Sequence, residues 1–168
     1  MKDWFMAGSH PKDYEHGIDN NTTYESKNAA YLKSIVADIE GFGTLMQMFQ
    51  ADDFRNKRMR FSSMVKSEEV DGWAGLWMRV DGPEQGKHLE FDNMQDRSIT
   101  GTTDWQRYEV VLDVPQESTN VAFGILLHGT GRVWLSDVDF GEVGIDVPVT
   151  SVRNRKYPKR PGNLDFSE

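Results

Sequence analysis

A strict alternation of side-chain types between Asp71 and Asp81 constrains the fold of this chain more than any other feature. Every second residue of the sequence DGWAGLWMRVD is apolar, namely Ala74, Leu76, Met78 and Val80. Because successive side chains of a β-strand point to opposite faces of its sheet, this pattern predicts a strand with one apolar face. We expect this strand to lie at the centre of the fold.

The other face of the same strand combines aromatic and charged side chains: Trp73, Trp77, Arg79 and Asp81. Aromatic rings beside charges suggest a groove for a polar ligand with flat apolar sides, such as a sugar ring. The alternative is that loops or the N-terminal segment cover the tryptophans. An open groove predicts that Trp77→Ala abolishes binding with little loss of stability, whereas a covered face predicts a large loss of stability.

Alternation continues along most of the chain, in the segments 44–51, 57–67, 105–114 and 132–143, and 119–127 is apolar on both faces. The stretches 8–21, 68–71 and 92–104 are predicted as connections, because they are rich in turn-forming residues or lack a period. Eight or nine strands without helical periodicity predict an all-β protein, an antiparallel β-sandwich with jelly-roll topology. A lipocalin-like barrel is the alternative. The predicted core comprises Leu45, Phe49, Met59, Phe61, Val65, Leu76, Met78, Val80, Val110, Leu112, Phe123, Ile125 and Leu127.

Length and composition restrict the organisation and the partners. The 168 residues fit one sandwich domain, predicted over residues 1–150, followed by a basic, proline-rich tail over residues 151–168. We expect the tail to be a solvated arm, with a partner contact as the alternative. A net charge of −8 argues against nucleic-acid binding. The sequence contains no run of about 18 apolar residues, so it predicts no membrane-spanning helix. The absence of an apolar leader and of cysteine favours a cytoplasmic protein; homo-oligomer formation is left open.

Further polar residues extend the candidate ligand site. Arg58 and Arg60 are expected beside Arg79, where they would bind an anionic group or simply pair with acidic neighbours. Asn93 and Arg97 belong to a polar loop that either forms one wall of a site or bonds internally. His128 ends a core strand, from which it reaches either the groove or solvent.

No enzyme motif is present in the sequence. It contains no GxSxG sequence, no glycine-rich phosphate loop, and no HxH or HExxH spacing among its four histidines. The absence of cysteine excludes a thiolate zinc site and a cysteine nucleophile. We therefore expect a non-catalytic protein, and a hydrolase built on paired carboxylates stays an alternative.

The order of the segments "KRMRFSSMVKS", "TTDWQRYEVVLDVP" and "GRVWLSDVDFGEV" resembles that of jelly-roll carbohydrate-binding modules of the galactose-binding-like class. The resemblance covers roughly residues 25–143. The combination of "GWAGLWMRVDG", "FDNMQDR" and "FGILL" is also similar to bacterial domains found alone or beside erythromycin-esterase-like proteins, tail-specific-type proteases and arabinose-type regulators. The resemblance implies a jelly roll that binds a carbohydrate or another small ligand.

The resemblance also implies a structural calcium ion, because modules of this type often hold Ca²⁺ with an aspartate of the last strand. Asp137 is the candidate ligand, and no other cofactor is expected. Taken together, the sequence predicts a non-catalytic module that binds a carbohydrate or small polar ligand. The predicted site comprises Trp73, Trp77, Arg79, Arg58, Arg60, Asn93, Arg97 and His128. A regulatory or protein-interaction domain of the sensor type is the alternative.

Overall fold

Nine β-strands make up the architecture of the computed structural model, which describes residues 1–151 and 159–167. In chain order they are β1 (Phe5–Gly8), β2 (Tyr14–Tyr24), β3 (Lys27–Ser34), β4 (Phe42–Gln50), β5 (Lys57–Asp81), β6 (His88–Asp92), β7 (Ile99–Val114), β8 (Asn120–His128) and β9 (Arg132–Val143). Short 3-10 turns occupy Pro11–Asp13 and Gln95–Arg97. Within these described ranges, no helix is long and apolar enough to cross a membrane.

The 25-residue strand β5 divides the strands into two layers. Its first half, from Lys57 to Glu68, pairs with β7 and β9, and β9 continues through β3 to β2. Its second half, from Trp73 to Asp81, pairs with β8 and β6, and β8 continues through β4 to β1. We call the layer of β1, β4, β8, β6 and the second half of β5 the front layer, and the other the back layer. All of these pairings are antiparallel, as predicted.

The core lies between the two layers and confirms the predicted core residues. Twelve of the thirteen are buried, and Phe49 packs against the core while partly exposed. Phe123 is central to an aromatic group, since its ring stacks on Phe61 at 4.2 Å between centroids and contacts Trp4 at 5.9 Å. Burial of such rings supplies much of the apolar area that stabilises the sandwich.

Three predicted connections are wrong, at least in part. Residues 14–21 belong to β2, a polar strand that pairs with β3 from Tyr14 opposite Ser34 to Asp19 opposite Ala29. Residues 68–71 do not turn the chain but continue β5 from one layer to the other. β7 begins at Ile99, within the predicted connection 92–104. In each case backbone pairing with a distant segment overrides weak local preference.

The predicted C-terminal tail is described only in part. Arg153, Arg155 and Lys156, three of its five basic residues, lie outside the described residues. Lys159 and Arg160 are exposed. The division into a domain over residues 1–150 and a tail stays a prediction.

Candidate functional site

The outer face of the front layer carries a second apolar cluster, separate from the core. Its buried members are Met46, Trp77, Ala122 and Leu126, and Ala7, Phe42, Trp73 and Phe91 pack against them. We call this surface the front face. An apolar outer face is unusual for a sheet, which normally exposes polar side chains there. The front face is therefore the first candidate for a binding surface.

Three nearly parallel rings form a row across the front face. Cross-strand pairing places Phe42 of β4, His128 of β8 and Trp73 of β5 next to one another. The His128 ring lies 6.5 Å from Phe42 and 6.3 Å from Trp73, with interplanar angles of 11° and 13°. All three are only half-buried, so part of each ring remains accessible. The row offers an apolar surface to a ligand.

Trp77 lies within the layer rather than on top of it. Its side chain is 6% exposed. The indole Nε1–H donates to Oγ1 of Thr44 at 2.8 Å, and that hydroxyl donates to the backbone oxygen of Ile125 at 2.8 Å. Neighbours on the same face cover it, and Ala7 of the N-terminal segment belongs to the same cluster, so the alternative of a covered face applies to Trp77. Trp77 is therefore a packed residue that supports the ring row.

A charged pair and a polar pocket adjoin the apolar part of the front face. Arg79 donates to both carboxylate oxygens of Asp81, at 2.7 and 3.2 Å, and its guanidinium lies 5.9 Å from the Trp77 ring centroid. These two residues also line a pocket of about 400 Å³. The pocket is completed by Gly82, Glu84, Gln85, Gly86, Lys87, His88, Thr119 and Asn120. Such side chains can exchange hydrogen bonds with ligand hydroxyls.

The buried Tyr14 of β2 anchors the ends of the two strands that carry Phe42 and His128. Its hydroxyl donates to the backbone oxygen of Gly129 at 2.5 Å and approaches that of Gly41 at 3.3 Å. Burial of the hydroxyl, followed by the nearby carboxylates of Asp13 and Asp71, raises the pKa of Tyr14 to about 12. Tyr14 thus links the start of β4 to the end of β8, the two strands that carry Phe42 and His128.

This anchor predicts a loss of stability at high pH. The folded protein holds the Tyr14 proton more tightly than the unfolded chain, in which the pKa is the ordinary 10.0. The stabilisation is therefore complete below pH 10 and is lost as the pH rises toward 12. Urea unfolding between pH 9 and about pH 12 checks this. In Tyr14→Phe the decline attributable to this group should disappear, and an unchanged decline in that variant would contradict the assignment.

Arg58 and Arg60 do not lie beside Arg79, and this part of the predicted site is wrong. They belong to the first half of β5, so they point outward from the back layer. Arg58 donates to both carboxylate oxygens of Asp113, at 2.8 and 3.1 Å, and to two backbone oxygens of the segment after β9. Arg60 lies 3.8 Å from Glu109. Neither arginine can contact a ligand on the front face.

Asn93 and Arg97 follow β6, in the predicted polar loop. Arg97 donates to the buried carboxylate of Asp92 at 2.6 Å, to Asp96 at 2.8 Å and to the backbone oxygen of Glu109 at 3.0 Å. Asn93 accepts a hydrogen bond from the backbone N–H of Gln95 at 3.1 Å. The internal bonding that the sequence left as an alternative is therefore present.

Asp137, the candidate calcium ligand, lies in a bulge of β9 with φ of +51°. Its carboxylate pairs with Lys27 at 2.7 Å and with Arg107, and these cations lower the pKa of Asp137. Among the described residues, no group of three histidine, aspartate or glutamate side chains is arranged to hold a metal ion. Both carboxylate oxygens of Asp137 are thus paired with cations, and calcium binding there stays a prediction.

The structure thus assembles Trp73, Trp77, Arg79 and His128 on one surface, and adds members that the sequence reasoning missed. Phe42, Thr44 and the segment 84–88 were not identified. The sequence predicts a turn that contains Phe42, between Gly41 and Gly43, a loop over Gly82–Gly86 and a short strand from His88 to Phe91, so neither region stood out as a binding site. A local pattern gives no sign that they reach the same face, because that depends on which strands are neighbours.

The strand arrangement is that of jelly-roll carbohydrate-binding modules. The structure is similar, with a TM-score of 0.63, to the CBM22-1–GH10 modules of Clostridium thermocellum xylanase 10B, with 13% identity over 84% of this chain and 26% of that chain. It is similar to the CBM22-1 xylan-binding domain of Paenibacillus barcinonensis Xyn10C, with a TM-score of 0.58 and 15% identity over 84% and 86% of the two chains. The enzymatically active domain of bacteriophage CBA120 tailspike protein 4 shares the fold, with a TM-score of 0.64 and 11% identity over 84% of this chain and 20% of that chain. These likenesses establish the fold.

One curated protein is much more similar in sequence. The chain is 46% identical over 170 residues to the Bacillus subtilis (strain 168) protein "Uncharacterized HTH-type transcriptional regulator YbfP". The match covers all of this chain and 57% of that protein, so the chain spans little more than half the length of its relative. No family model matches the chain.

Proposed function

We propose that this protein is a non-catalytic ligand-binding module whose front face binds a carbohydrate or a small polar ligand. One observation supports this above all: the row of Phe42, His128 and Trp73 lies on the same face as the Arg79–Asp81 pair and its polar pocket. The accessible parts of the rings would contact the C–H groups of a sugar, while the charged pair and the pocket residues would exchange hydrogen bonds with its hydroxyls. Solved modules of the same fold include one in complex with β-1,4-galactotriose.

The two cations that face the pocket already have partners, and this affects the ligand. Arg79 is bound to Asp81, and Lys87 lies 3.0 Å from Glu84. A carboxylate or phosphate ligand would have to compete with these acids for the cations. The arrangement therefore favours an uncharged ligand, in place of the acidic one considered when Arg58 and Arg60 were expected nearby.

We expect Trp73→Ala to weaken binding at the front face by at least about tenfold, because it removes one accessible ring from the row. Intrinsic tryptophan fluorescence, during titration with neutral mono- and oligosaccharides and small acids, measures the affinity. Trp105→Ala is the matched control, since Trp105 is also half-buried but contacts Tyr24 on the back layer, at 5.7 Å between centroids. Equal affinities of Trp73→Ala and the wild type, or no saturable response to any of these compounds, would contradict the proposal.

A regulatory role of the sensor type is the second candidate, and the curated relative favours it. If the module senses a ligand for a regulator, the ligand should change how the module associates with itself or with a second domain. Analytical ultracentrifugation with and without the ligand found above tests this. If the sedimentation coefficients of this chain and of the full-length relative do not change at saturation, the sensor role is contradicted. Ligand binding alone then remains as the proposed function.

A further inference from the structure

A second cavity lies beside β6, apart from the ring row of the front face. Its volume is about 480 Å³, and its described lining is Asp92 together with His88, Phe91, Asn93, Gln95, Asp96 and Ser151. We call it the loop pocket. Its size falls within the range of small-molecule sites. The polar loop that the sequence singled out therefore encloses a space as well as bonding internally.

Ser151 gives the loop pocket an unsatisfied hydrogen-bonding group. Its side chain is 2% exposed, and its Oγ has no hydrogen-bond partner. A buried hydroxyl without a partner costs free energy, so most such groups in proteins are bonded to protein or to ordered water. A molecule in the pocket that bonded to this Oγ would remove the cost. The hydroxyl thus marks a position where a ligand group is missing.

The other polar groups of the loop pocket are neutral or already neutralised. The Asp92 carboxylate accepts from Arg97 at 2.6 Å and from the Thr150 hydroxyl at 2.6 Å. Asp96 is bound to Arg97 at 2.8 Å. Within the described part of the chain, the side-chain amide nitrogens of Asn93 and Gln95 donate to no other residue. These groups suit a ligand without net charge that both donates and accepts hydrogen bonds.

Two rings supply an apolar side to the loop pocket. The centroids of His88 and Phe91 lie 5.4 Å apart, with the ring planes tilted by 45°. Neutral amides and a hydroxyl facing such rings match a cyclic compound that bears several hydroxyls. We propose that the loop pocket is a second binding site, for a neutral polyhydroxylated ring compound such as a sugar or a cyclitol. This site does not rest on the front-face proposal.

The direct test is a nuclear magnetic resonance titration of the ¹⁵N-labelled protein with glucose, galactose, xylose and myo-inositol. At least one of these compounds should shift the backbone signals of Phe91, Asn93, Gln95 and Ser151 saturably. The same shifts should persist in Trp73→Ala, which alters only the front face. No saturable shift at these residues with any of the four compounds would overturn the proposal, and so would their loss in Trp73→Ala.

Ser151→Ala separates a binding role from a structural one. It removes a hydroxyl that has no partner, so we expect the free energy of unfolding to stay the same or rise, while affinity falls roughly five- to tenfold. Ser118→Ala is the matched control, because Ser118 is equally buried but its Oγ donates to the backbone oxygen of Pro115 at 2.6 Å. That variant should lose stability and keep its affinity. The proposal fails if Ser151→Ala binds like the wild type or loses as much stability as Ser118→Ala.

Discussion

Replacing Trp77 by alanine is expected to lower the free energy of unfolding by about 3 kcal/mol, which is typical of removing a large buried aromatic side chain. The indole is 6% exposed and packs among Met46, Ala122 and Leu126. Its loss leaves a cavity in the apolar cluster and deprives the Thr44 hydroxyl of its donor. Urea denaturation, monitored by circular dichroism, measures the change.

Trp77→Phe is the control for this prediction. It retains most of the apolar contact but removes the Nε1–H donor, so it should cost only about 1 kcal/mol. A Trp77→Ala protein that is nearly as stable as the wild type but no longer binds ligand would contradict the assignment of Trp77 as a packed residue. That outcome would restore the sequence-based hypothesis that Trp77 lies open in a groove.

Replacing Arg97 by alanine is expected to cost roughly 2–3 kcal/mol, because it leaves the buried Asp92 carboxylate without its cation. Asp92 is 5% exposed, and its remaining donors are the Thr150 hydroxyl and the Met94 backbone N–H. The value lies at the low end for a broken buried pair, since the Arg97 side chain is itself 32% exposed. Denaturation of Arg97→Ala and of the double variant Arg97→Ala, Asp92→Asn measures both effects. The double variant should recover part of the stability.

Arg60→Ala is the matched control for Arg97→Ala. Arg60 lies 3.8 Å from Glu109, and the two side chains are 40% and 48% exposed. Solvent screens such a pair, so its loss should cost at most about 1 kcal/mol. Similar losses in Arg60→Ala and Arg97→Ala would show that the Asp92 network contributes no more than a surface pair.

The fold was predictable where side-chain period and burial agree. Alternation in β4, β5 and β7 located most core residues, because apolar residues at every second position can be buried only on one face of a strand. The β8 segment was recognised instead by being apolar on both faces. β2 was missed because its sequence, YEHGIDNNTTY, is polar and contains glycine and asparagine. It becomes a strand by pairing with β3, a contact that no local pattern reveals.

The shared face of the candidate site was predictable only along β5; His128 was also a candidate, but the sequence left open whether it reaches the groove or solvent. Trp73, Trp77 and Arg79 share a face because their positions differ by even numbers, and side chains two residues apart in a strand point to the same face. Strand pairing places Phe42 and His128 on the same face as these residues. Arg58 and Arg60 lie in the back layer instead, because β5 spans both layers. Whether a tryptophan is open or packed depends on its neighbours' side chains, so the sequence left both alternatives for Trp77.

The pairing of β5 also sets the order in which the fold can form during synthesis. Within the described residues, β5 pairs only with β6, β7, β8 and β9, all of which come later in the chain. β3 and β4 likewise need β9 and β8 to complete their layers. When the first half of the chain has emerged from the ribosome, β2 can pair with β3 and β1 with β4, but β5 still lacks all of its partners. Until β6 to β9 have been synthesised, the unpaired backbone and the apolar face of β5 are open to non-native pairing, which is the kind of exposure that favours aggregation.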